Sequence, residues 1–258
     1  MGIINLTPDS FYDGGRYTGV RSVLQDAEEK VRQGAQILDL GASSTRPGAP
    51  EIPAEEEWER LGPSLREIRK AFPDILLSVD TYRAEIANRA AAEGIDMIND
   101  VSGGQSDPGM FDTVARLDLP YILMHMKGNP RNMQTNPVYD DVVQEVLDFF
   151  RLGIQQLQNK GFQRIMLDPG FGFGKTLEHN YRLLNQFHRF CELGFPVVAG
   201  LSRKSMINKV IGTNPVTALN GTSVLNTIAV MNGAGILRVH DVREAKQVIE
   251  LVAYYRNL

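Results

Sequence analysis

One cysteine stands among 258 residues. Cys191 has no partner for an internal disulfide, so a reducing compartment, the cytoplasm, is the expected setting. It falls in Phe187-His-Arg-Phe-Cys-Glu-Leu193, a helical pattern that points to a buried structural thiol rather than a nucleophile. No apolar run approaches the roughly 18 residues of a membrane span. Met1-Gly-Ile-Ile4 is too short for a signal peptide and lacks its basic start. The net charge is −4 and no dense basic cluster is present, which removes the electrostatic case for nucleic acid. The four histidines form no His-x-His or His-Glu-x-x-His motif, and there is no Asp-x-Asp. No linker, low-complexity tract or charge block divides the chain, so one domain over residues 1–258 is the economical reading.

What is present is a repeat of short apolar runs and longer amphipathic segments. The runs are Gly2–Asn5, Gln36–Asp39, Ile75–Asp80, Met97–Asn99, Tyr121–His125, Ile165–Asp168, Pro196–Ala199 and Ile236–Val239. Between them Val23–Arg32, Glu55–Ala71, Arg83–Ala92, Val138–Lys160, Thr217–Asn232 and Arg243–Arg256 read as helices. Strands that alternate with helices pair in parallel. Eight such units predict a single (β/α)8 TIM barrel of the α/β class.

Nearly every apolar run ends in, or is soon followed by, a polar side chain. These are Asn5, Asp39, Asp80, Asn99, His125, Asp168, the Ser202-Arg-Lys204 set, and Arg238 with His240. One Asp after one strand is usually a helix cap. A series of them is different, because the C-terminal strand ends of such a barrel surround one mouth. The richest of these ends is Asp168-Pro-Gly-Phe-Gly-Phe-Gly-Lys175. Glycine lets the backbone turn sharply and approach a ligand closely. Phenylalanine offers a flat face, and a carboxylate can accept two N–H bonds in the plane of a nitrogen-rich ring.

Asp80, Asn99 and Asp168 together suit the edge of a heterocycle, with Lys204 as a donor. The carboxylates of such a mouth can instead hold a divalent metal, a reading weakened by the missing metal motifs. Arg203, Lys204, Arg238 and His240 follow strands 7 and 8, where phosphate sites in these barrels often lie. Asn5 is a neutral oxygen donor suited to a hard ion that bridges phosphates. Leu6–Gly15 and Leu40–Ala49 are rich in Gly, Pro, Ser and Thr and are longer than ordinary connections, which suggests lids that order over substrate. His179 and His188 lie in a helical stretch and are expected on the surface.

The chain resembles the dihydropteroate synthase family, the folate-pathway enzymes that sulfonamides inhibit. The likeness rests on Asn5-Leu-Thr-Pro-Asp-Ser-Phe11 with Asp13-Gly-Gly15, Ser44-Thr-Arg-Pro-Gly48, Ser78-Val-Asp-Thr81, and Ile98-Asn-Asp-Val-Ser-Gly-Gly104. Leu123-Met-His-Met126, Asp168–Lys175, Gly200-Leu-Ser-Arg-Lys-Ser205 and Leu237-Arg-Val-His-Asp-Val242 complete it across essentially the whole chain. It implies condensation of 6-hydroxymethyl-7,8-dihydropterin diphosphate with 4-aminobenzoate by dissociative substitution, with Mg2+ as cofactor and a homodimer. It implies that Asp80, Asn99, Asp168 and Lys204 hold the pterin, with Met124 and Phe173 lining its pocket and Gly172 keeping the backbone thin. It further implies that Asn5 assists Mg2+ and that Arg238 and His240 hold the diphosphate. Thr45, Arg46, Pro47, Phe11, Lys204 and Ser205 would form the aminobenzoate side. Separately from the resemblance, Asp9 and Arg46, one from each loop, are expected to pair and close the lid. Two departures stand out. Leu40-Gly-Ala-Ser43 replaces a common Gly-Gly-Glu, which bears on loop packing more than on ligands. The chain also opens almost at Asn5, so the expectation is a short first strand and a barely covered lower face. The rival readings are a methyltetrahydrofolate-type methyltransferase, a non-catalytic pterin-binding protein, and a Schiff-base aldolase using Lys204.

Overall fold

Each apolar run becomes a strand, and all eight are parallel to their neighbours. The computed structural model describes residues 1–6, 16–43, 51–128, 133 and 137–258. The strands are β1 (Gly2–Asn5), β2 (Ile37–Gly41), β3 (Leu76–Asp80), β4 (Met97–Asp100), β5 (Tyr121–Met124), β6 (Ile165–Asp168), β7 (Val198–Ala199) and β8 (Ile236–Leu237). β1 to β6 pair in sequence order as one sheet, and β7 pairs with β8 as a second. Single bridges join the two sheets, Leu167 to Val197 at one side and Gly2 to Val239 at the other, and so close the ring. The barrel expected from the alternation is therefore present. Strands 7 and 8 are shorter than their apolar runs.

Around the ring stand α1 (Arg16–Arg32), α2 (Ala54–Ala71), α3 (Ala84–Ala92), α4 (Met110–Leu117), α5 (Val142–Asn159), α6 (Leu177–Asn185), α7 (His188–Cys191), α8 (Ser205–Ile211), α9 (Leu219–Met231) and α10 (Val242–Arg256). The helix expected from Val138 begins only at Val142. The Asp141 carboxylate accepts from the backbone N–H groups of Val143 and Gln144 and so sets the first turn. α4 and α8 have eight and seven residues, too short for their periodicity to stand out. Cys191 is half-buried rather than buried, with its Sγ 3.4 Å from the Gly233 carbonyl. His179 is half-buried too, because it forms a reciprocal cap with Thr176 at the start of α6. His188 is exposed, as expected.

Alternation along the strands divides the core in two. Side chains such as Leu38, Leu40, Leu77, Val79, Ile98, Leu123, Ile165 and Leu167 join the large cluster that also takes in the buried helix faces. The other face is inside the ring. There Ile37, Met97, Ile122, Met166 and Val198 form a separate apolar floor, with Met1 and Ile236 packed against it. Two residues further along the same strands, the next inward layer is Asp39, Asn99, Met124, Asp168, Gly200 and Arg238. That switch from apolar to polar within one step creates the mouth.

Candidate active site

The polar layer is bonded across the ring rather than merely gathered there. Asp39 is fully buried at the centre of β2. Its Oδ1 accepts from the Ser78 hydroxyl at 2.6 Å. Its Oδ2 accepts from Asn99 Nδ2 at 3.0 Å and from Arg238 Nε at 2.6 Å. Arg238 Nη2 donates to Asp80 Oδ2 at 2.7 Å. A guanidinium held by two carboxylates is fixed in advance of any ligand. Burial pushes the Asp80 carboxyl up to about 7, against the pull of Arg238.

Across the mouth, Asp168 ends β6 and accepts from the Gly170 N–H through Oδ1 at 2.7 Å. Its Oδ2 and the Lys204 ammonium converge on Gly200. A Cβ there would lie 3.7 Å from the one and 3.6 Å from the other. Lys204 donates to the Phe171 carbonyl and lies 4.9 Å from the centre of the Phe173 ring. Its chain crosses the bare face of Gly172, whose Cβ would meet it at 3.5 Å. Burial lowers Lys204 to about 8, even with Asp168 raising it. Burial likewise raises Asp168, with Lys204 opposing.

The turn that shapes this wall encloses a second lysine. Lys175 is buried, and its Nζ donates to the carbonyls of Gly170 and Phe173 at 3.0 Å each and meets His125 Nδ1 at 2.9 Å. It fills the inside of the turn as a bound cation would. Burial pushes its pKa well below the ordinary lysine range. The turn also needs its glycines. Gly170 has φ +67°, and a Cβ on it would stand 1.9 Å from the His125 carbonyl oxygen. Gly170→Ala is therefore expected to cost more than about 3 kcal/mol of stability, read from the shift of the urea midpoint. A wild-type midpoint would show that the turn relaxes freely.

Val101, Met124, Met126 and Met133 form an apolar cluster in the mouth, with Tyr82 and Phe173 packed on it. Met124 and Phe173 therefore lie together in that cluster. Tyr82, which directly follows the Ser78–Thr81 motif, packs there without any sign of it in the sequence. Asn5 is the exposed end of an otherwise buried β1. Ser205 is exposed as the first residue of α8.

His240 Nδ1 is 3.0 Å from the Ser202 hydroxyl. Arg203, expected among the cations for a phosphate, is bonded within the protein instead. Its Nε and Nη2 donate to the two Asp241 oxygens at 2.9 and 2.7 Å, and its Nη1 to the carbonyls of Pro215 and Val216. It is a strut between loops, and that expectation is corrected. The expectations for Asp9, Phe11, Thr45, Arg46 and Pro47 lie outside the described residues.

A family model described as pterin binding enzyme matches residues 1–240. The dihydropteroate synthase of Haemophilus influenzae is 42% identical, covering 97% of this chain and 91% of the relative. That of Escherichia coli K12 is also 42% identical, over 98% and 89%. This chain belongs to the dihydropteroate synthase family. Solved members of that family share the fold closely. The Yersinia pestis dihydropteroate synthase in complex with a sulfonamide drug superposes with a TM-score of 0.94 at 40% identity, covering 100% of this chain and 94% of that one. The Xanthomonas albilineans dihydropteroate synthase with 4-aminobenzoic acid gives 0.93 at 41%, over 100% and 93%. For a dihydropteroate synthase, acceptors and cations that face each other across the mouth of a barrel are a coherent arrangement.

Proposed function

We propose that this chain, as one domain over residues 1–258, joins 6-hydroxymethyl-7,8-dihydropterin diphosphate to 4-aminobenzoate and releases pyrophosphate. The observation that carries the reading is the polar layer itself. With its neighbours it joins Asp39 to Asn99 and Arg238, Arg238 to Asp80, and sets Asp168 opposite Lys204, which lies against Phe173 of the apolar cluster. Asp168 and Asn99 would accept and donate along the edge of the pterin, and Asp80 would act nearby through its bond with Arg238. Lys204 would donate to the ring, Met124 and Phe173 would cover its faces, and Gly172 would let Lys204 lie close. The residues expected to complete the aminobenzoate side are Phe11, Thr45, Arg46, Pro47 and Ser205, with Asp9 paired to Arg46.

The chemistry needs no protein nucleophile. The bond between the pterin methylene and the diphosphate oxygen breaks with its electron pair on oxygen, leaving a cation spread over the ring. The amine nitrogen of 4-aminobenzoate then bonds to the methylene and loses a proton. Asp80 and Asp168 stabilise the cation. Arg238 keeps Nε and Nη2 on Asp39 and Asp80, and its Nη1 makes no hydrogen bond among the described residues, so that edge can meet the leaving anion.

A Mg2+ ion fits these residues in one way. Among the described residues no three His, Cys, Asp or Glu side chains form a metal site. Mg2+ usually keeps several waters and takes substrate phosphate oxygens, so a single protein oxygen from Asn5 suffices. When bound, it would offset charge on the departing pyrophosphate.

The test is pyrophosphate release by purified protein supplied with both substrates and Mg2+. Release that depends on 4-aminobenzoate is expected, and so is its loss in EDTA with recovery on adding Mg2+. No release would sink the enzymatic reading, and release indifferent to EDTA would remove the metal.

We also propose a homodimer in the cytoplasm. Val224, Ile228 and Met231 make an exposed apolar stripe at helical spacing on α9, and Val210 and Ile211 of α8 and Ile249 of α10 are exposed as well. Sedimentation equilibrium should return twice the 28.7 kDa chain mass. A monomer at micromolar concentration would refute this. No helix among the described residues is long and apolar enough to cross a membrane.

A further inference from the structure

Ser202 is buried in the turn after β7 and touches His240 twice. The His240 backbone N–H donates to the Ser202 Oγ at 3.2 Å. The same Oγ lies 3.0 Å from His240 Nδ1. A serine hydroxyl has one hydrogen to give and two lone pairs to receive. One lone pair is taken by the backbone N–H. Among the described residues the hydroxyl hydrogen has no other acceptor, so it is satisfied only when it points at Nδ1. An imidazole nitrogen that accepts carries no hydrogen, and the ring hydrogen then sits on Nε2.

We propose that Ser202 is a positioning residue that locks His240 as the neutral Nε2–H tautomer, so that the histidine meets the diphosphate as a fixed hydrogen-bond donor. This rests on reading the mouth as a pterin diphosphate site. The division of labour is sensible there. Arg238 already brings a permanent charge, and a neutral second donor adds a directed hydrogen bond to the leaving anion without a second full charge.

A second rung stiffens the same junction. Arg203, next to Ser202, grips both oxygens of Asp241, next to His240. Its backbone N–H donates to Thr222 Oγ1 at 3.0 Å, and its φ of +58° is one that a non-glycine residue rarely adopts. Two adjacent residues on one loop thus hold two adjacent residues on the other. Arg203 fixes the spacing of the loops, and Ser202 selects the tautomer. Partial desolvation, and Arg238 after it, push His240 toward the neutral form.

The test is long-range 1H–15N NMR of the imidazoles at pH 7. With only four histidines in the chain, His240→Ala assigns the signal. The expected result is a protonated Nε2 and a bare Nδ1 on His240. A protonated Nδ1, or both nitrogens protonated, would overturn the proposal. In Ser202→Ala the two nitrogen shifts should move toward each other. The KM for the pterin diphosphate and the inhibition constant of inorganic pyrophosphate with Mg2+ should each rise about 5–10-fold, the scale of one hydrogen bond. The KM for 4-aminobenzoate should hold, and Ser202→Thr should restore both readouts. An unchanged His240 spectrum in Ser202→Ala would also overturn the proposal. The spectrum is read without turnover. A bare Nδ1 in a protein that releases no pyrophosphate would keep the tautomer and discard the enzymatic reading.

Discussion

Asp168→Asn is expected to raise the KM for the pterin diphosphate about 100-fold while leaving the unfolding free energy from urea denaturation within about 0.5 kcal/mol of wild type. The asymmetry follows from how the two oxygens are used. Oδ1 accepts from the Gly170 N–H, a bond that an asparagine can keep. To do so it must turn its NH2 toward Gly200 and the mouth, where a pterin would offer N–H groups of its own. Donor then faces donor, and one of them is buried without a partner. A second signature is the pH profile. kcat/KM reports the free enzyme, and Lys204, lowered to about 8, should make it fall roughly tenfold per pH unit above that value. Asp168 raises Lys204, so in Asp168→Asn the fall should begin at lower pH. The linkage sign separates this from unfolding. Between about 8 and the ordinary lysine value the native chain binds fewer protons at Lys204 than the unfolded chain does, so this group adds stability as pH rises. Activity and stability then move in opposite directions. Equal loss of stability and binding in Asp168→Asn would remove Asp168 from the pterin edge.

Asp39→Asn should behave differently, with about 3 kcal/mol lost from stability as well as a KM raised by tenfold or more. Asp39 is wholly buried and accepts from three side chains, one of them the Arg238 guanidinium. Neutralising it leaves Arg238 with Asp80 alone and frees Asn99 to rotate. Urea denaturation and steady-state kinetics on one preparation measure both effects. Wild-type values in both would mean that the Asp39 network does not orient the site. The contrast between Asp39→Asn and Asp168→Asn tests the division of the mouth into a foundation and a face toward substrate.

Much of this was readable in the chain. The apolar runs located all eight strands, because short buried parallel strands have little room for polar residues. Asp80, Asn99 and Asp168 stood out as strand endings. Asp39 was visible as such an ending but received no role. Counting by twos from Ile37 places it inward, on the same level as Asn99 and Asp168. Other features had no local signal. Arg203 resembles a phosphate ligand until Asp241, 38 residues away, is seen to occupy it. Lys175 closes a glycine motif, yet it is buried against His125, which follows β5. Tyr82 reaches the mouth only through packing with the methionines. The paired-lid expectation for Asp9 and Arg46 lies outside the described residues.

The ring of strands is joined by single bridges at two places, between β6 and β7 and between β8 and β1. Arg238 follows β8 and reaches Asp39 and Asp80 across the second seam. Lys204 follows β7 and stands opposite Asp168 across the first. The cations thus ride on a two-stranded leaf, and the carboxylates on the six-stranded wall it leans against. The charges that would handle substrate are also the barrel's clasps. A pterin that touched Asp168 and Lys204 together would act as a suture, tying the leaf to the wall at the seam where the backbone does so least.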